Sequence, residues 1–393
     1  MGPWTVYLVV VTTATAPTVL FLHASDEMYG ADRQLLALVR ASRQLCEPVV
    51  LLPVDVEYDG SLSAALRAEG IEVRHGPIPV LRRRYGSLGA MARWTPRAIR
   101  GWWWAMQVAR ETRARLVVSN TTAIPVGPTI AGLLRLPHLW LAREIIDSPA
   151  WYRSMVRANG RLSRGHIFTV SDAVGRWLGP VRGHGPSTLH DGVPLAAKTR
   201  PLPATPTALF IGRMNELKGW EVFIQAATIA HERVPEARFQ LVGGTVPGAD
   251  IDAATVDGAV QRADPSGAWL RWFGEQPSTS TFVDDCWLVA VPSIRPDSFP
   301  NAVLEGMAQA RAVIGSDLGG IPEMIVHGET GRLVPPGDVA SLASAMEAML
   351  ADRDEAARMG AAGRERVVRE FSSMRLDAAW RAILARELSS VRS

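Results

Sequence analysis

Two carboxylates that flank a helix start are the side chains best placed to do chemistry in this 393-residue chain. The stretch PDSFPNAVLEG, residues 296–306, holds Asp297 and Glu305 eight positions apart. Pro300 between them suits the first turn of a helix, where a missing backbone N–H costs nothing. Free N–H groups at this start would attract an anion, and the helix dipole adds to the attraction. These groups belong to Phe299, Asn301 and Ala302.

The two acids would lie on opposite sides of such an anion. Glu305 lies one helical turn beyond Asn301 on the same side, where its carboxylate can accept hydrogen bonds from a diol such as a ribose. Asp297 precedes the turn, across the pocket. A phosphate between two hydroxyl-bearing groups describes a nucleotide sugar. The alternative is structural, with Asp297 as a helix cap and Glu305 as a solvated helix residue.

Two cations at another strand-to-helix junction favour the phosphate interpretation. In FIGRMNELKGW, residues 210–220, Arg213 follows an apolar run, and Lys218 with Gly219 precedes a helical pattern. Arginine can grip phosphate oxygens in pairs and lysine acts as a point charge, so the two together suit a diphosphate. Alone, each is more often a surface cation.

Alternating strands and helices on both sides of a linker must position these groups. Residues 194–206, PLAAKTRPLPATP, hold four prolines and no periodicity, which is typical of a linker. Short apolar runs predict strands on either side of it. They are 18–23, 47–52, 71–74, 115–119, 138–142, 166–170, 186–190, 207–212, 238–242, 269–273, 286–291, 312–316 and 331–334. The alternation predicts an α/β fold of two doubly wound parallel sheets, in domains 1–193 and 207–370.

Glycines follow several predicted strands of the second half. In open parallel sheets, ligands bind beyond the carboxyl ends of the strands, and glycine there lets the backbone approach a ligand closely. Tight strand-to-helix turns favour glycine anyway, so only the convergence of several such turns indicates a site. The glycines in question are Gly212, Gly243, Gly244, Gly315, Gly319 and Gly320.

Several segments, in their order and spacing, resemble glycosyltransferase family 4. They are LHDGVP, GRMNELKG, LVGG and PDSFPNAVLEGMAQARAVIGSDLGGIPEMIVHGETGRLVPPGD. Members of that family are retaining, nucleotide-sugar-dependent enzymes of the GT-B fold, which has two Rossmann-like domains facing across a cleft. The resemblance covers about residues 18–385 and is strongest over 207–340. It implies a first domain that binds the acceptor, a second that binds the donor, and a last helix, in 371–393, that crosses back to the first.

The resemblance also implies roles for individual residues. Arg213 and Lys218 would hold the donor diphosphate, Asp297 would reach the transferred sugar and Glu305 the ribose. The backbone segment that meets sugar and phosphate comprises Ser298, Phe299, Pro300, Asn301 and Ala302. Further donor-side positions are Gly30, Gly212 and Gly243, and the positions lining the acceptor side are Arg143 and Glu144. No metal and no cofactor is implied, only the nucleoside-diphosphate sugar as co-substrate.

This chain departs from the family pattern in two places. Asp297 stands where the family has a glutamate, so its carboxylate is one methylene shorter. Many relatives carry a cleft histidine near the position of Arg143, and no histidine can be assigned to that role from this sequence. The metal-binding pattern Asp250-Ile-Asp252 also occurs, but it follows a predicted strand and reads better as an acidic helix start.

Charge is distributed unevenly along the chain. Residues 1–195 hold 22 Lys and Arg against 14 Asp and Glu, and the remainder holds 20 against 25, so a basic half precedes an acidic one. Cys46 and Cys286 form no Cys/His cluster, which fits a reducing cytoplasm. Residues 1–25 lack charge but have no basic leader, and Pro17 interrupts them, so a first core strand is favoured over a membrane span.

The segment 82–115 combines nine arginines and one acid with Trp94, Trp102, Trp103 and Trp104. This composition is typical of a helix that lies on an anionic membrane surface. An ordinary helix that buries its tryptophans is nearly as plausible, and a nucleic-acid surface is the weakest of the three. A lipid-linked acceptor would explain the basic first half.

The sequence therefore predicts a retaining, metal-independent glycosyltransferase of glycan or glycolipid biosynthesis in the cell envelope or an exopolysaccharide. Its partners would be a nucleotide-sugar donor, a glycan or lipid-linked acceptor and an anionic membrane, with no nucleic acid. Its place would be the cytoplasm, at the inner face of the plasma membrane. Two alternatives stay open, namely a nucleotide-sugar epimerase on the same fold and a sugar-nucleotide-binding protein without activity.

Overall fold

The structure, a computed structural model, describes residues 16–82, 88–146, 151–162, 165–181, 185–245 and 251–390. Three parts of the predictions lie outside these residues: the extension before residue 16, the arginines at 83 and 84, and the first aspartate of the Asp250-Ile-Asp252 pattern.

The described part of the first half forms a seven-stranded parallel sheet in the order β3-β2-β1-β4-β5-β6-β7. Its strands are β1 (Thr18–Leu22), β2 (Glu47–Pro53), β3 (Glu72–Gly76), β4 (Leu116–Ser119), β5 (His138–Ala142), β6 (His166–Thr169) and β7 (Ser187–Thr188). Its helices are α1 (Gly30–Ser42), α2 (Ser61–Ala68), α3 (Leu88–Glu111), α4 (Val126–Leu134), α5 (Trp151–Leu162) and α6 (Asp172–Leu178).

The second half forms a six-stranded parallel sheet in the order β10-β9-β8-β11-β12-β13, within the described residues. Its strands are β8 (Thr207–Ile211), β9 (Arg238–Val242), β10 (Leu270–Trp272), β11 (Leu288–Val291), β12 (Ala312–Ser316) and β13 (Arg332–Val334). The helices are α7 (Trp220–Arg233), α8 (Ala253–Ala263), α9 (Ser280–Asp284), α10 (Asn301–Ala308), α11 (Ile321–Met324), α12 (Val339–Ala351), α13 (Arg353–Arg366) and α14 (Ser373–Ser390).

The predicted fold class, with two doubly wound parallel sheets, is confirmed. Central strands such as β1 and β11 are buried along their whole length apart from the first residue of β1, because helices cover both faces of each sheet. This is why apolar runs without alternation marked the strands. Every predicted strand is present with both ends within two residues of the prediction, and residues 194–206 contain neither helix nor strand.

The last helix packs on the first half of the chain. The indole Nε1 of Trp380 in α14 donates to Ser42 Oγ of α1 at 2.8 Å, and its side chain is fully buried near Phe21 of β1. Two backbone hydrogen bonds join Val193 to the residues where this helix begins. Val193 N donates to Phe371 O at 2.9 Å, and Ser373 N donates to Val193 O at 2.9 Å. The end of the chain therefore completes the core of the first sheet.

Helix α3, from the arginine- and tryptophan-rich segment, has one buried side and one exposed side. Trp102 donates to Thr129 Oγ1 at 3.1 Å, and Trp104 packs against Gly76, so this side of the helix is buried like a core helix. Trp103 and Ile99 are instead 59% and 56% exposed. Among the described residues, no helix is long and apolar enough to cross a membrane.

Candidate functional site

The PDSFPN segment wraps around two glycines before α10 begins. Gly320 N donates to Asp297 O at 2.8 Å, and Gly319 has a φ of 65°. A Cβ at Gly319 would lie 2.2 Å from Asp297 O, and one at Gly320 would lie 2.0 Å from Ser298 O. Only glycine lets the two segments lie this close, so these glycines fix the backbone that leads into the helix.

Helix α10 starts one residue later than predicted. Pro300 has extended backbone angles, φ −71° and ψ 121°, and stands just before the helix instead of in its first turn. A residue in this position keeps a non-helical ψ, and proline tolerates it because its φ is already fixed near the required value. The backbone N–H groups of Phe299, Asn301 and Ala302 find no acceptor among the described residues. They stay available to an anion, as the residue-based argument requires.

The ring of Phe299 anchors this backbone from behind. The side chain is 5% exposed and stacks on His190, with ring centroids 5.0 Å apart and an interplanar angle of 15°. Phe371 packs edge-on against both rings. His190 belongs to the first half of the chain, so a residue of that half packs against the PDSFPN segment of the second half.

Lys218 and Asp297 form an ion pair at the cleft. Lys218 Nζ lies 2.5 Å from Asp297 Oδ2, and Ser293 Oγ donates to the same oxygen at 3.3 Å. Gly219, with a φ of 72°, begins α7 so close to Pro292 O that a Cβ would lie 2.0 Å from it. Gly219 therefore lets the loop that carries Lys218 lie close to the end of β11, just before Ser293.

Arg213 extends from the end of β8 into the same space. It is exposed, and its guanidinium carbon lies 4.9 Å from the ring centroid of Tyr29. The adjoining turns meet closely, because a Cβ on Gly243, whose φ is 141°, would lie 1.9 Å from Gly212 O. Two of the predicted glycine turns thus converge beside this cation.

Glu305 is mostly enclosed, and residues from both halves contact it. Its Oε2 accepts from Thr279 Oγ1 at 3.0 Å, and its Oε1 lies 3.7 Å from Arg33 Nη1 of α1. The side chain is 21% exposed. Burial raises the pKa of the Glu305 carboxyl above its usual range, against the opposing effects of Arg33 and Thr279.

The start of α1 faces the start of α10 across the cleft. A Cβ on Gly30 would lie 3.0 Å from Asn301 Nδ2, so glycine there allows the two helix starts to meet. Gln34, one turn further along α1, donates to Asn301 Oδ1 at 3.4 Å and to Gly192 O at 2.9 Å. The structure therefore places Gly30 beside the start of α10.

Arg143 and Glu144 form part of a polar network at the carboxyl edge of the first sheet. Arg143 donates to Asn120 Oδ1 at 2.8 Å and to Asp191 Oδ1 at 2.5 Å. Glu144 accepts from the backbone N and the hydroxyl of Thr122, at 3.0 Å and 2.8 Å. Burial raises the pKa of the Asp191 carboxyl and Arg143 opposes this. Arg143 and Glu144 therefore both form hydrogen bonds with neighbouring residues of the first half.

Several polar residues of the cleft were not singled out from the sequence. His23, 1% exposed, lies 2.9 Å from Asp32 Oδ1, and His190 stacks on the donor segment. These are the histidines that the structure brings to the cleft near Arg143. The sequence held a signal for both histidines, because each lies at or shortly beyond the end of a strand. The other residues that were missed are Tyr29, Arg33, Gln34, Asn120, Asp191, Glu275 and Thr279.

The metal alternative rests on the Asp250-Ile-Asp252 pattern, whose first aspartate lies outside the described residues. The described residues contain no group of three His, Cys, Asp or Glu side chains that could hold a metal ion. Asp252 instead caps α8, because its side chain accepts from Thr255 N at 2.8 Å.

Sequence comparisons relate part of the chain to known proteins. Residues 205–352 match the family model described as "Glycosyl transferases group 1". The chain is 35% identical over 177 residues to an alpha-maltose-1-phosphate synthase of Mycolicibacterium smegmatis, a match that covers 42% of this chain and 44% of that protein. It is 31% identical over 178 residues to a D-inositol 3-phosphate glycosyltransferase of Corynebacterium diphtheriae, covering 44% and 39%. The chain therefore spans less than half the length of these relatives.

Solved structures resemble the chain over nearly its whole length. The Anabaena protein Alr3699/HepE, crystallised with UDP and glucose, aligns with a TM-score of 0.77 at 20% identity and covers 93% of this chain and 99% of that one. A sucrose-phosphate synthase from Thermosynechococcus elongatus aligns with a TM-score of 0.73 at 19% identity, covering 95% and 99%. These likenesses show the shared GT-B fold.

Proposed function

We propose that this chain, whose residues 205–352 form a glycosyl transferases group 1 domain, moves a sugar from a nucleoside-diphosphate sugar to a hydroxyl acceptor. One observation carries the proposal. The Lys218 side chain passes next to Gly212, beside Arg213, and pairs with Asp297 just before α10, and N–H groups at the start of that helix have no acceptor among the described residues. We infer that Arg213 and Glu305 face the same cleft. This set of groups matches the charges and hydroxyls of a nucleotide sugar.

The same groups account for the chemistry. When the bond between sugar and diphosphate breaks, negative charge develops on the leaving diphosphate. Arg213, Lys218 and the α10 N–H groups stabilise this charge because they are in place before the reaction starts. Glu305 accepts hydrogen bonds from the ribose. Asp297, held by Lys218 at 2.5 Å, reaches the transferred sugar.

The stereochemical outcome that we propose is retention. The acceptor hydroxyl attacks the anomeric carbon from the face that the diphosphate leaves, and no protein nucleophile takes part. Arg213 and Lys218 also take the role that a divalent cation has in other glycosyltransferases, so transfer is independent of metal. The described residues offer no alternative metal ligand set.

The acceptor side is the carboxyl edge of the first sheet, where Arg143 and Glu144 shape the floor. We propose a glycan or lipid-linked acceptor in envelope or exopolysaccharide synthesis, met at the cytoplasmic face of the plasma membrane. The exposed side of α3, with Trp103, Ile99 and neighbouring arginines, supports peripheral contact with anionic lipid.

A panel of nucleotide sugars tests the proposed function. Purified protein is incubated with UDP-, GDP-, ADP- and dTDP-sugars, with and without membrane lipid extract, in EDTA, and both released nucleoside diphosphate and glycosylated product are measured. We expect transfer from one donor class, undiminished by EDTA, with the anomeric configuration retained in the product by NMR. Conversion of the donor sugar without transfer would indicate the epimerase alternative. Binding without any turnover would indicate a non-catalytic sugar-nucleotide-binding protein.

A further inference from the structure

Tyr29, in the loop before α1, spans the cleft beneath Arg213. The guanidinium carbon of Arg213 lies over the Tyr29 ring, 4.9 Å from its centroid. The phenol of Tyr29 donates to Glu275 Oε1 at 2.8 Å. Tyr29 belongs to the first half of the chain, whereas Arg213 and Glu275 follow strands of the second sheet. A single side chain thus links the exposed cation to both halves.

The ring of Tyr29 is fixed at both ends. Its backbone N donates to Asp32 Oδ2 at 3.1 Å, which ties the residue to the first turn of α1. Its hydroxyl is held by Glu275, whose own side chain lies against Gly244, 2.9 Å from where a Cβ would stand. Burial and Glu275 both raise the pKa of Tyr29, so the hydroxyl remains a donor at neutral pH.

Arg213 has one further acidic residue in its vicinity, since burial raises the pKa of the Glu27 carboxyl and Arg213 opposes this shift. Within the described ranges it makes no ion pair, whereas the other cation, Lys218, lies 2.5 Å from Asp297. An exposed arginine loses rotamer freedom when it grips a ligand, and this loss weakens binding. A guanidinium that already rests on a ring face has lost part of that freedom and can keep its N–H edge free for paired phosphate oxygens.

We propose that Tyr29 is the positioning residue for Arg213, holding its guanidinium at the cleft so that the N–H edge meets the donor diphosphate. The inference rests on the proposed function, because Arg213 must be a diphosphate ligand for its position to matter. It adds that affinity for the diphosphate depends on a residue of the first half that does not itself bind the nucleotide. Tyr29 acts on Arg213 alone and leaves Lys218 and Glu305 unchanged.

Calorimetric titration of Tyr29 variants tests this role. The probes are the nucleoside diphosphate that wild type binds best among UDP, GDP, ADP and dTDP, and the matching monophosphate. Tyr29→Leu keeps bulk without a π face, and we expect about two- to fivefold weaker diphosphate binding with monophosphate binding unchanged. Tyr29→Phe keeps the face and should restore most of the diphosphate affinity.

A second titration series measures Tyr29→Leu in a protein that also carries Arg213→Ala. The loss caused by Tyr29→Leu should vanish when Arg213 is absent, since the ring then has nothing to hold. Equal losses for diphosphate and monophosphate, or a loss that persists without Arg213, would show that the ring supports the nucleotide or the fold and would overturn the inference. So would an unchanged affinity in Tyr29→Leu.

The controls separate this inference from the proposed function. If Arg213→Ala leaves diphosphate affinity unchanged, the proposed role of Arg213 is wrong and the role of Tyr29 falls with it. If Arg213→Ala weakens binding and Tyr29→Leu does not, only the inference fails. Tyr58→Leu is the matched variant, because Tyr58 also lies under an arginine, Arg82 at 5.8 Å, and should leave nucleotide affinity unchanged. Thermal unfolding of each variant confirms that it folds.

Discussion

Asp297 and Glu305 have different surroundings in the cleft. Asp297 is bound to a cation, Lys218, while Glu305 is mostly enclosed and, among the described residues, has a hydroxyl at 3.0 Å and an arginine nitrogen at 3.7 Å. A carboxylate already paired with a cation contributes little to nucleotide affinity by itself. A carboxylate that is enclosed and only partly satisfied gains from a diol that donates to it.

The first prediction separates these roles by substitution. Glu305→Gln should weaken nucleoside diphosphate binding by about tenfold to a hundredfold, because a hydrogen bond to a charged group is lost. Asp297→Asn should leave diphosphate affinity unchanged or slightly stronger, because Lys218 is released from its partner, and should abolish most sugar transfer. Calorimetry and a transfer assay measure the two effects. Equal losses of affinity in both variants would identify the acids as structural caps.

The raised pKa of Glu305 gives a second prediction. The ionised carboxylate is the better acceptor, so the affinity due to Glu305 is complete above its folded pKa and is lost as pH falls through it. Because burial raises that pKa, the loss should begin at higher pH than for an ordinary glutamate near about 4.3. Titrating nucleoside diphosphate across pH in wild type and Glu305→Gln isolates the effect, since phosphate ionisation is common to both. Parallel pH profiles would contradict this assignment.

At the level of elements, glycine turns bring the strand ends and helix starts together. Gly212 and Gly243, and the pair Gly319 and Gly320 against Asp297 and Ser298, are in near contact at backbone distances that exclude a Cβ. The strand ends that carry them could be predicted, because strands buried on both faces are continuous apolar runs. The close approach could not, because it depends on which strands lie side by side.

Gly243→Ala tests the importance of such a contact. The substitution meets both an unfavourable φ of 141° and the Gly212 carbonyl at 1.9 Å, and should cost about 1–3 kcal/mol of unfolding free energy or more. Gly328→Ala is the control, since its φ of 81° is also positive but its Cβ would meet nothing within 4 Å. Urea denaturation compares them. An equal loss in both variants would mean that backbone strain, and not the close contact, is what the glycine relieves.

Helix α3 gives a prediction for the membrane-facing role. Replacing Trp103 by Ala together with Arg97 and Arg100 by Ser should weaken binding to acidic vesicles, because the exposed apolar group and the nearby positive charges are lost. Salt should weaken wild-type binding as well, since charges are screened over about 8 Å at physiological ionic strength. Vesicle sedimentation measures both effects.

The control for α3 is a matched triple variant elsewhere on the surface. Met374→Ala with Arg375→Ser and Arg386→Ser removes one exposed apolar group and two exposed cations from α14, and should leave vesicle binding unchanged. If wild type ignores acidic vesicles even at low salt, α3 is a core helix whose outer face has no lipid partner. Equal losses in both variants would show that attachment is spread over the whole basic surface.

At the scale of the whole molecule, the cleft is made by contacts between residues far apart in the chain. Gln34 meets Asn301, Tyr29 meets Glu275, and Glu323 accepts from the backbone N–H groups at the start of α6. The cations and acids of the second half could be placed at strand-to-helix junctions from their local spacing. Their partners from the first half could not be predicted, because no local pattern connects residues separated by 150 positions or more.

These cross-cleft contacts also explain why His23 and His190 were not singled out from the sequence. His190 reaches Phe299 only because the loop after β7 lies against the segment before α10, and His23 is enclosed by Asp32 and Asn120 at the end of β1. Neither lies next to Arg143 in sequence. Their location follows from the strand order of the first sheet and from how the two halves face each other.

The most direct test of the central claim is calorimetric titration of nucleoside diphosphates in the presence of EDTA. We predict that wild type binds one of UDP, GDP, ADP or dTDP without metal, and that replacing both Arg213 and Lys218 by Ala abolishes this binding while the protein still unfolds cooperatively. If no nucleoside diphosphate binds, or if the double variant binds as tightly as wild type, the cleft is not the diphosphate site described here.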